Sequence, residues 1–211
     1  MVHLPIVNMA MQGIESALAA SGATLMVANV PKGDRLPALL GNGHVQGLIL
    51  KGPNQGLLPS PEENDFIGSL GRFPYVWLMG RLANAVGDHC NFDTDAAGRL
   101  AAEHLHARGH RRVAFFNPKP GQTQFDKVGR AFWEATRSRE CECTVFEASR
   151  QGPLIWPLPA ITQEERVVEL VDRWRAVDAA RRPTAVFVPS DRTAVQLYTI
   201  LEHRRIKVGR D

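Results

Sequence analysis

The sequence has little of what marks membrane, disulfide-rich or nucleic-acid-binding proteins. Its 211 residues include three cysteines, Cys90, Cys141 and Cys143, and this odd number without framework spacing fits a reducing compartment. No apolar run approaches the ~20 residues that cross a bilayer, and residues 1–14 lack the basic start and apolar core of a secretory signal. The net charge of +3 is too small to predict a nucleic-acid surface. We therefore expect a cytoplasmic protein without a membrane partner.

Motifs of common enzymes and cofactor sites are also missing. The nearest approach to a dinucleotide motif, GNGHVQG at residues 41–47, precedes a strand instead of following one and has the wrong spacing. His104, His106 and His110 cluster, but Gly109 interrupts the helix that would align the last two, and no acidic residue or cysteine has a metal-ligand spacing to them. We predict no metal, no cofactor and no enzymatic activity.

What the sequence does contain is an alternation of short apolar runs with amphipathic stretches, in an ordinary globular composition of 44% hydrophobic and 22% charged residues. This alternation predicts an α/β fold with parallel sheets. We divide it near Gly109 into an N-terminal lobe, 1–109, and a C-terminal lobe, 110–211, and we expect both sheets to be incomplete at the chain ends. The predicted strands are residues 24–29, 46–51, 75–79, 113–116, 143–147 and 184–188.

Polar residues follow the predicted strands at their carboxyl ends, where open α/β sheets bind ligands. They include Asn29, Lys51, Gly80, Arg81, Asn117, Glu147, Ser190 and Asp191, with Gln122, Gln124, Asp126 and Lys127 in the loop after the fourth strand. The set is rich in amides and lacks a nucleophile–base pair, which suits an uncharged, polyhydroxylated ligand. Trp156, in a proline-rich loop, offers a flat face for a sugar ring. The alternative is that these residues are solvated loop tips or helix caps, Ser190 and Asp191 above all.

The most specific stretch is residues 93–116, DTDAAGRLAAEHL followed by RGHRRVAFF. It closely resembles the V-D-N-x-x-A-x-x-L-x-x-H-L…G-H-R-x-I-A-F signature of LacI-family transcription regulators, and the segments 12–15, 45–50, 74–81 and 182–187 resemble further family motifs in the same order. The resemblance implies a periplasmic-binding-protein-like core of two Rossmann-like lobes that forms homodimers and binds a sugar or nucleoside-like effector. It also implies that operator DNA is bound by an N-terminal helix-turn-helix that lies outside these 211 residues.

Matching positions with the family assigns effector contacts to nine residues. They are Ile6, Gly80, Arg81, Gln122, Gln124, Lys127, Trp156, Ser190 and Asp191. The chain departs from the family pattern at two positions that concern this set. Ile6 is aliphatic where an aromatic residue is frequent, and Val128 stands where the family has an effector-binding arginine, which leaves Lys127 as its substitute. The effector of a well-studied member therefore does not transfer.

Three functions are compatible with these observations. The first is the effector-binding core of a sugar-responsive transcription regulator. The second is an exported sugar-binding protein of a transport system, and the third is an α/β enzyme with an unfamiliar site. The GHRRVAF run at residues 109–115 favours the first over the second, and the missing acid–base pair counts against the third. The sequence upstream of Met1 in the gene product would discriminate a helix-turn-helix from an export leader.

Overall fold

The computed structural model describes residues 5–28, 30, 38–41, 43–52, 57–80, 82, 84–149 and 164–209. In chain order the elements are α1 (Pro5–Ala20), α2 (Ala38–Gly41), β1 (Leu48–Leu50), α3 (Asp65–Ser69), a 3₁₀ turn (Leu70–Arg72), β2 (Tyr75–Leu78), β3 (Asp88–Cys90), α4 (Thr94–Ala107), β4 (Arg112–Asn117), α5 (Thr123–Arg137), β5 (Glu142–Glu147), α6 (Glu164–Ala176), β6 (Ala185–Phe187) and α7 (Asp191–His203). None of the helices in these ranges has the length and apolarity needed to cross a membrane.

The strands form two parallel sheets, one in the order β1-β2-β3 and the other in the order β5-β4-β6. In the second sheet β5 pairs with one edge of β4 and β6 pairs with the other, and a helix precedes each of them. Parallel neighbours require such crossover connections. The predicted α/β class with parallel sheets is confirmed.

Two strand predictions differ from the structure. Residues 24–28, predicted as part of a strand, form no ladder with any described residue, and Met26 and Val27 are 53% and 60% exposed. A β-strand is stable only beside a partner, so an apolar run alone does not make one. The strand β3 was not predicted, because its three residues are all exposed and lack the apolar pattern that marks a buried strand.

The second sheet is buried on both faces, and β4 lies at its centre. Phe115 packs with Phe132 of α5 on one face, while Phe116 packs with Leu170 of α6 and with α7 on the other. Successive side chains of a strand point to opposite faces, so adjacent phenylalanines serve two different cores. This explains why β4 reads as a continuous apolar run.

The helix α4 packs against α5 and therefore belongs with the second sheet. Ala102 of α4 shares a buried cluster with Val113 of β4, and Glu103 of α4 forms an ion pair with Arg139 at 2.7 Å. Gly98 lies where the two helices touch. A larger residue would not fit there, since a Cβ would lie 2.6 Å from the main-chain oxygen of Val128. The predicted division near residue 109 stays a prediction; what the structure shows is that α4 packs on α5 and β4.

The first sheet has a smaller core around Trp77, which is 3% exposed and packs with Leu70, Leu82 and Ala85. The indole Nε1 of Trp77 donates to the main-chain oxygen of Val86 at 2.8 Å. This bond satisfies the one polar group of the indole inside the core. By contrast, α1 has no fully buried residue among those whose side chains are described.

Candidate functional site

The carboxyl edge of the second sheet is organised by Asn117, the last residue of β4, which is 1% exposed. Its Nδ2 donates to Asp126 Oδ1 at 3.0 Å and to Glu147 Oε1 at 3.5 Å, and its Oδ1 accepts from the main-chain N of Lys119 at 3.1 Å. Asp126 also accepts from the main-chain N of Gly121. These bonds hold the turn between β4 and α5 in one conformation, so the polar groups at this edge are preorganised.

A cavity of about 490 Å³ opens between α5 and β5 beside this network. Its lining residues are Phe115, Asn117, Asp126, Gly129, Arg130, Trp133, Val145 and Glu147. The volume lies in the range of small-molecule sites. The indole of Trp133 is already covered in part by the Arg137 guanidinium, 4.6 Å above its ring centre.

The start of α5 carries three of the predicted contact residues. Gln122 is 6% exposed, and its Oε1 is buried without a hydrogen-bond partner in the described part of the chain. Gln124 is half-buried and donates from Nε2 to Asn91 Oδ1 at 2.7 Å, which joins α5 to the segment after β3. Lys127 is exposed. Gln122 is the one of the three with an unused buried acceptor.

The start of α7 carries two more, and one of them caps the helix. Ser190 is the N-cap of α7: its Oγ accepts from the main-chain N of Thr193 at 3.2 Å and lies 2.9 Å from the Thr193 hydroxyl. The capping interpretation of Ser190 is therefore confirmed, and its hydroxyl is already engaged. Asp191 is exposed in the first turn, where a carboxylate interacts favourably with the helix dipole.

The predicted contacts in the first lobe are less well assembled. Gly80 is buried after β2 with φ 137°, next to Met79 with φ 54°; the backbone at position 80 therefore favours glycine. Ile6 is 50% exposed on α1. Among the described residues no hydrogen bond connects either of them with the starts of α5 and α7. Arg81, Trp156 and Asn29 lie outside the described residues.

Sequence reasoning missed three basic residues at the same edge. Lys119 follows β4, Arg166 lies in the first turn of α6, and Arg192 lies in the first turn of α7. Burial lowers the pKa of Lys119, and the positive charges of Arg192 and Arg166 lower it further. A cation in the first turn of a helix opposes the helix dipole, which is a signal that the sequence carries. Arg166 and Arg192 lie within helices and not at the strand ends, where the sequence predicts the ligand contacts.

His110, one of the clustered histidines, makes a structural contact. Thr184 Oγ1 donates to the main-chain oxygen of Arg112 at 3.2 Å and lies 2.9 Å from His110 Nδ1. His110 thus ties the amino ends of β4 and β6 together. No group of three metal-ligating side chains occurs within the residues described.

Two parallel sheets flanked by helices, with polar groups at a carboxyl edge, define the class of α/β ligand-binding proteins. The family model described as "periplasmic binding protein-like domain" matches residues 102–211, more than half of the chain. The chain belongs to this family. A comparison with curated proteins gives no match.

Solved structures of LacI-family regulators share the fold. A regulator from a Rhodococcus species is 19% identical with a TM-score of 0.69 over 98% of this chain and 71% of its own. A regulator from Enterococcus faecium with bound ribose is 22% identical with a TM-score of 0.68 over 100% of this chain and 72% of its own. The Cra dual regulator from Pseudomonas putida, in complex with fructose 1-phosphate, is 18% identical with a TM-score of 0.65, covering 97% and 71%. The chain spans 57% of a regulator from Chloroflexus aggregans.

Proposed function

We propose that this chain is the effector-binding core of a LacI-type transcription regulator and that it binds a sugar without transforming it. The observation that carries the proposal is the buried Oε1 of Gln122 at the carboxyl edge of the second sheet, which has no hydrogen-bond partner among the described residues. A buried acceptor without a donor costs about 1–3 kcal/mol, and a sugar hydroxyl is a donor that would remove this cost. Two structures of the same fold hold ribose and fructose 1-phosphate, which supports a sugar-like effector.

The proposed contact set consists of the residues matched to the family. We order them by their position at the carboxyl edge and by whether their polar groups are already engaged. Gln122 comes first, followed by Gln124 and Asp191 at the same edge. Gly80 and Ile6 would approach from the first lobe. The set is completed by Lys127, Arg81, Trp156 and Ser190, whose hydroxyl would have to leave its cap to take part.

The effector would act by changing the orientation of the two lobes. We place the lobe boundary at residues 91–92, between β3 and α4, because α4 packs on α5 and the Gln124–Asn91 bond lies at this junction. A ligand that contacts both lobes shifts an open–closed equilibrium only by its difference in affinity for the two states. In the whole regulator, a cytoplasmic homodimer, this shift would change the spacing of two operator-binding helix-turn-helix heads.

One observation favours a second function, a sugar-binding protein that delivers its ligand to a transporter. A structure of the same fold from Alkaliphilus metalliredigens, 17% identical, is described as a periplasmic binding protein/LacI transcriptional regulator complexed with D-xylulofuranose. If the whole protein binds a specific operator DNA and releases it when the sugar is added, it is a regulator. If it binds the sugar and no DNA, the transport function is supported.

Sugar binding is tested by titration calorimetry of the whole protein against a panel of monosaccharides, disaccharides and polyols. Gln122→Leu keeps the side-chain volume and removes the unpaired amide, so it should weaken binding about threefold to tenfold while the melting temperature stays level or rises. The matched control is Gln196→Leu, which removes the other buried amide oxygen without a described partner, in the second turn of α7. Equal affinity of Gln122→Leu and the unmodified protein would remove Gln122 from the site.

A further inference from the structure

Three basic residues lie at the carboxyl edge of the second sheet. Lys119 and Arg192 follow β4 and β6, which are adjacent strands, so both residues emerge at the same edge. Arg166 joins them because its Nη1 donates to the main-chain oxygen of Pro118 at 3.1 Å. This bond fixes the first turn of α6 against the turn after β4.

Two of the three cations occupy positions that the helix dipoles disfavour. Arg166 and Arg192 sit in the first turns of α6 and α7, where the helix dipole repels cations. Burial lowers the pKa of Lys119, and the positive charges of Arg192 and Arg166 lower it further, so both guanidinium groups lie within electrostatic range of its ammonium group. Within the described residues no ion pair involves any of the three, and Asp191, the acidic neighbour of Arg192, is exposed.

The same turn also holds an acceptor that lacks a donor. The main-chain N of Gln122 donates to the main-chain oxygen of Lys119 at 3.0 Å, and the side chain of Gln122 is buried, with no partner for Oε1 in the part of the chain that the structure describes. A ligand at this edge therefore meets positive charge and a hydroxyl-binding amide within one turn of chain. An anion alone would leave the amide unsatisfied, and a neutral sugar alone would place no negative charge opposite the three cations.

We propose that the effector carries an anionic group on a hydroxylated ring, with the anion held by Lys119, Arg166 and Arg192. This inference rests on the proposed function and differs from the uncharged ligand that the sequence suggested. A phosphoryl group and a carboxylate share the required chemistry, which is several acceptor oxygens around a negative charge. Guanidinium and ammonium groups grouped at helix N-termini provide donors for either.

The test is calorimetric titration of the whole protein with matched pairs: fructose and fructose 1-phosphate, glucose and glucose 6-phosphate, and glucose and glucuronate. We expect at least one anionic member to bind at least tenfold more tightly than its neutral partner, with an affinity that falls as salt rises. Binding of a sugar phosphate identifies the phosphoryl group as the anion; binding of glucuronate identifies the carboxylate.

Variants decide whether these residues hold the anion. Lys119→Gln and Arg192→Gln should each weaken the anionic ligand about tenfold to a hundredfold, the range for one charge-assisted hydrogen bond. The control Arg181→Gln removes an exposed cation from the turn before β6, at the opposite edge, and should leave affinity unchanged. Melting curves establish that each variant is folded. If Arg166→Gln destabilises the turn by removing the bond to Pro118, Arg166→Lys is measured as well, because it keeps the positive charge.

The outcomes separate this inference from the proposed function. Neutral sugars that bind at least as tightly as anionic ones would overturn the anion site and leave the sugar-binding core standing. Failure of every neutral and anionic ligand to bind would overturn both. Anionic binding that survives Lys119→Gln and Arg192→Gln unchanged would overturn the assignment to these residues.

Discussion

Replacing Gly98 with alanine tests the packing that joins α4 to the second sheet. The added Cβ would lie 2.6 Å from Val128 O and 2.7 Å from Phe132 N, and because both atoms are main chain of α5, the two helices would have to separate. Overpacking costs about 1–3 kcal/mol, and two backbone clashes place this case in the upper half of that range. Alanine regains about 1 kcal/mol in helix propensity. The net loss is therefore about 1–2 kcal/mol, which lowers the melting temperature by roughly 2–8 °C for a protein of this size.

The measurement is thermal and urea unfolding followed by circular dichroism, at fixed protein concentration. The matched control is Gly13→Ala on α1, where a Cβ would meet nothing within 4 Å and where we expect no loss and a gain of up to about 1 kcal/mol. If Gly98→Ala is as stable as the unmodified protein, or shifts by the same amount as Gly13→Ala, α4 does not pack on α5 as described.

Three further variants or modifications have outcomes set by burial and capping. Phe132→Ala should cost about 3–5 kcal/mol because the ring is 0% exposed, whereas Leu100→Ala, 64% exposed, should stay within about 0.5 kcal/mol; similar urea midpoints would contradict this core. Asp93 accepts at 2.8 Å from a main-chain N–H of α4, so Asp93→Ala should cost about 1 kcal/mol in urea unfolding and Asp93→Asn much less. Burial raises the pKa of the Cys143 thiol to about 11; the folded state then holds this proton more tightly than the unfolded state, and stability should fall as pH rises from about 9 towards 11. At pH 9 iodoacetamide should alkylate the exposed Cys90 before Cys143 by mass spectrometry, and equal rates would count against the burial.

The parts of the fold that sequence predicted well are those where pattern and burial coincide. The run around Phe115 and Phe116 was predicted as a strand because a central strand buried on both faces is apolar throughout. The sequence of helix α4 likewise carries its own signals, with apolar residues at helical spacing and Gly109 after its end. Residues 24–28 have an equally apolar pattern, but they have no partner strand among the described residues, and pattern cannot supply one.

The candidate site was predicted in outline but not in its working groups. Strand ends located the carboxyl edge, since topology brings parallel strand ends together whatever the side chains are. They did not show that the Ser190 hydroxyl caps α7, nor that Oε1 of Gln122 has no hydrogen-bond partner among the described residues. Those facts depend on distances between groups far apart in the chain or on the exact turn conformation.

By itself the sequence determined the α/β class, the family signature and the edge where a ligand would bind, because periodicity and short motifs are local properties. Only the tertiary structure decided that α4 belongs to the second sheet and that Lys119, Arg166 and Arg192 share one place. Both follow from packing between residues that are dozens of positions apart. The missing Cβ of Gly98 lets α4 approach α5, and a crossover connection brings β6 beside β4.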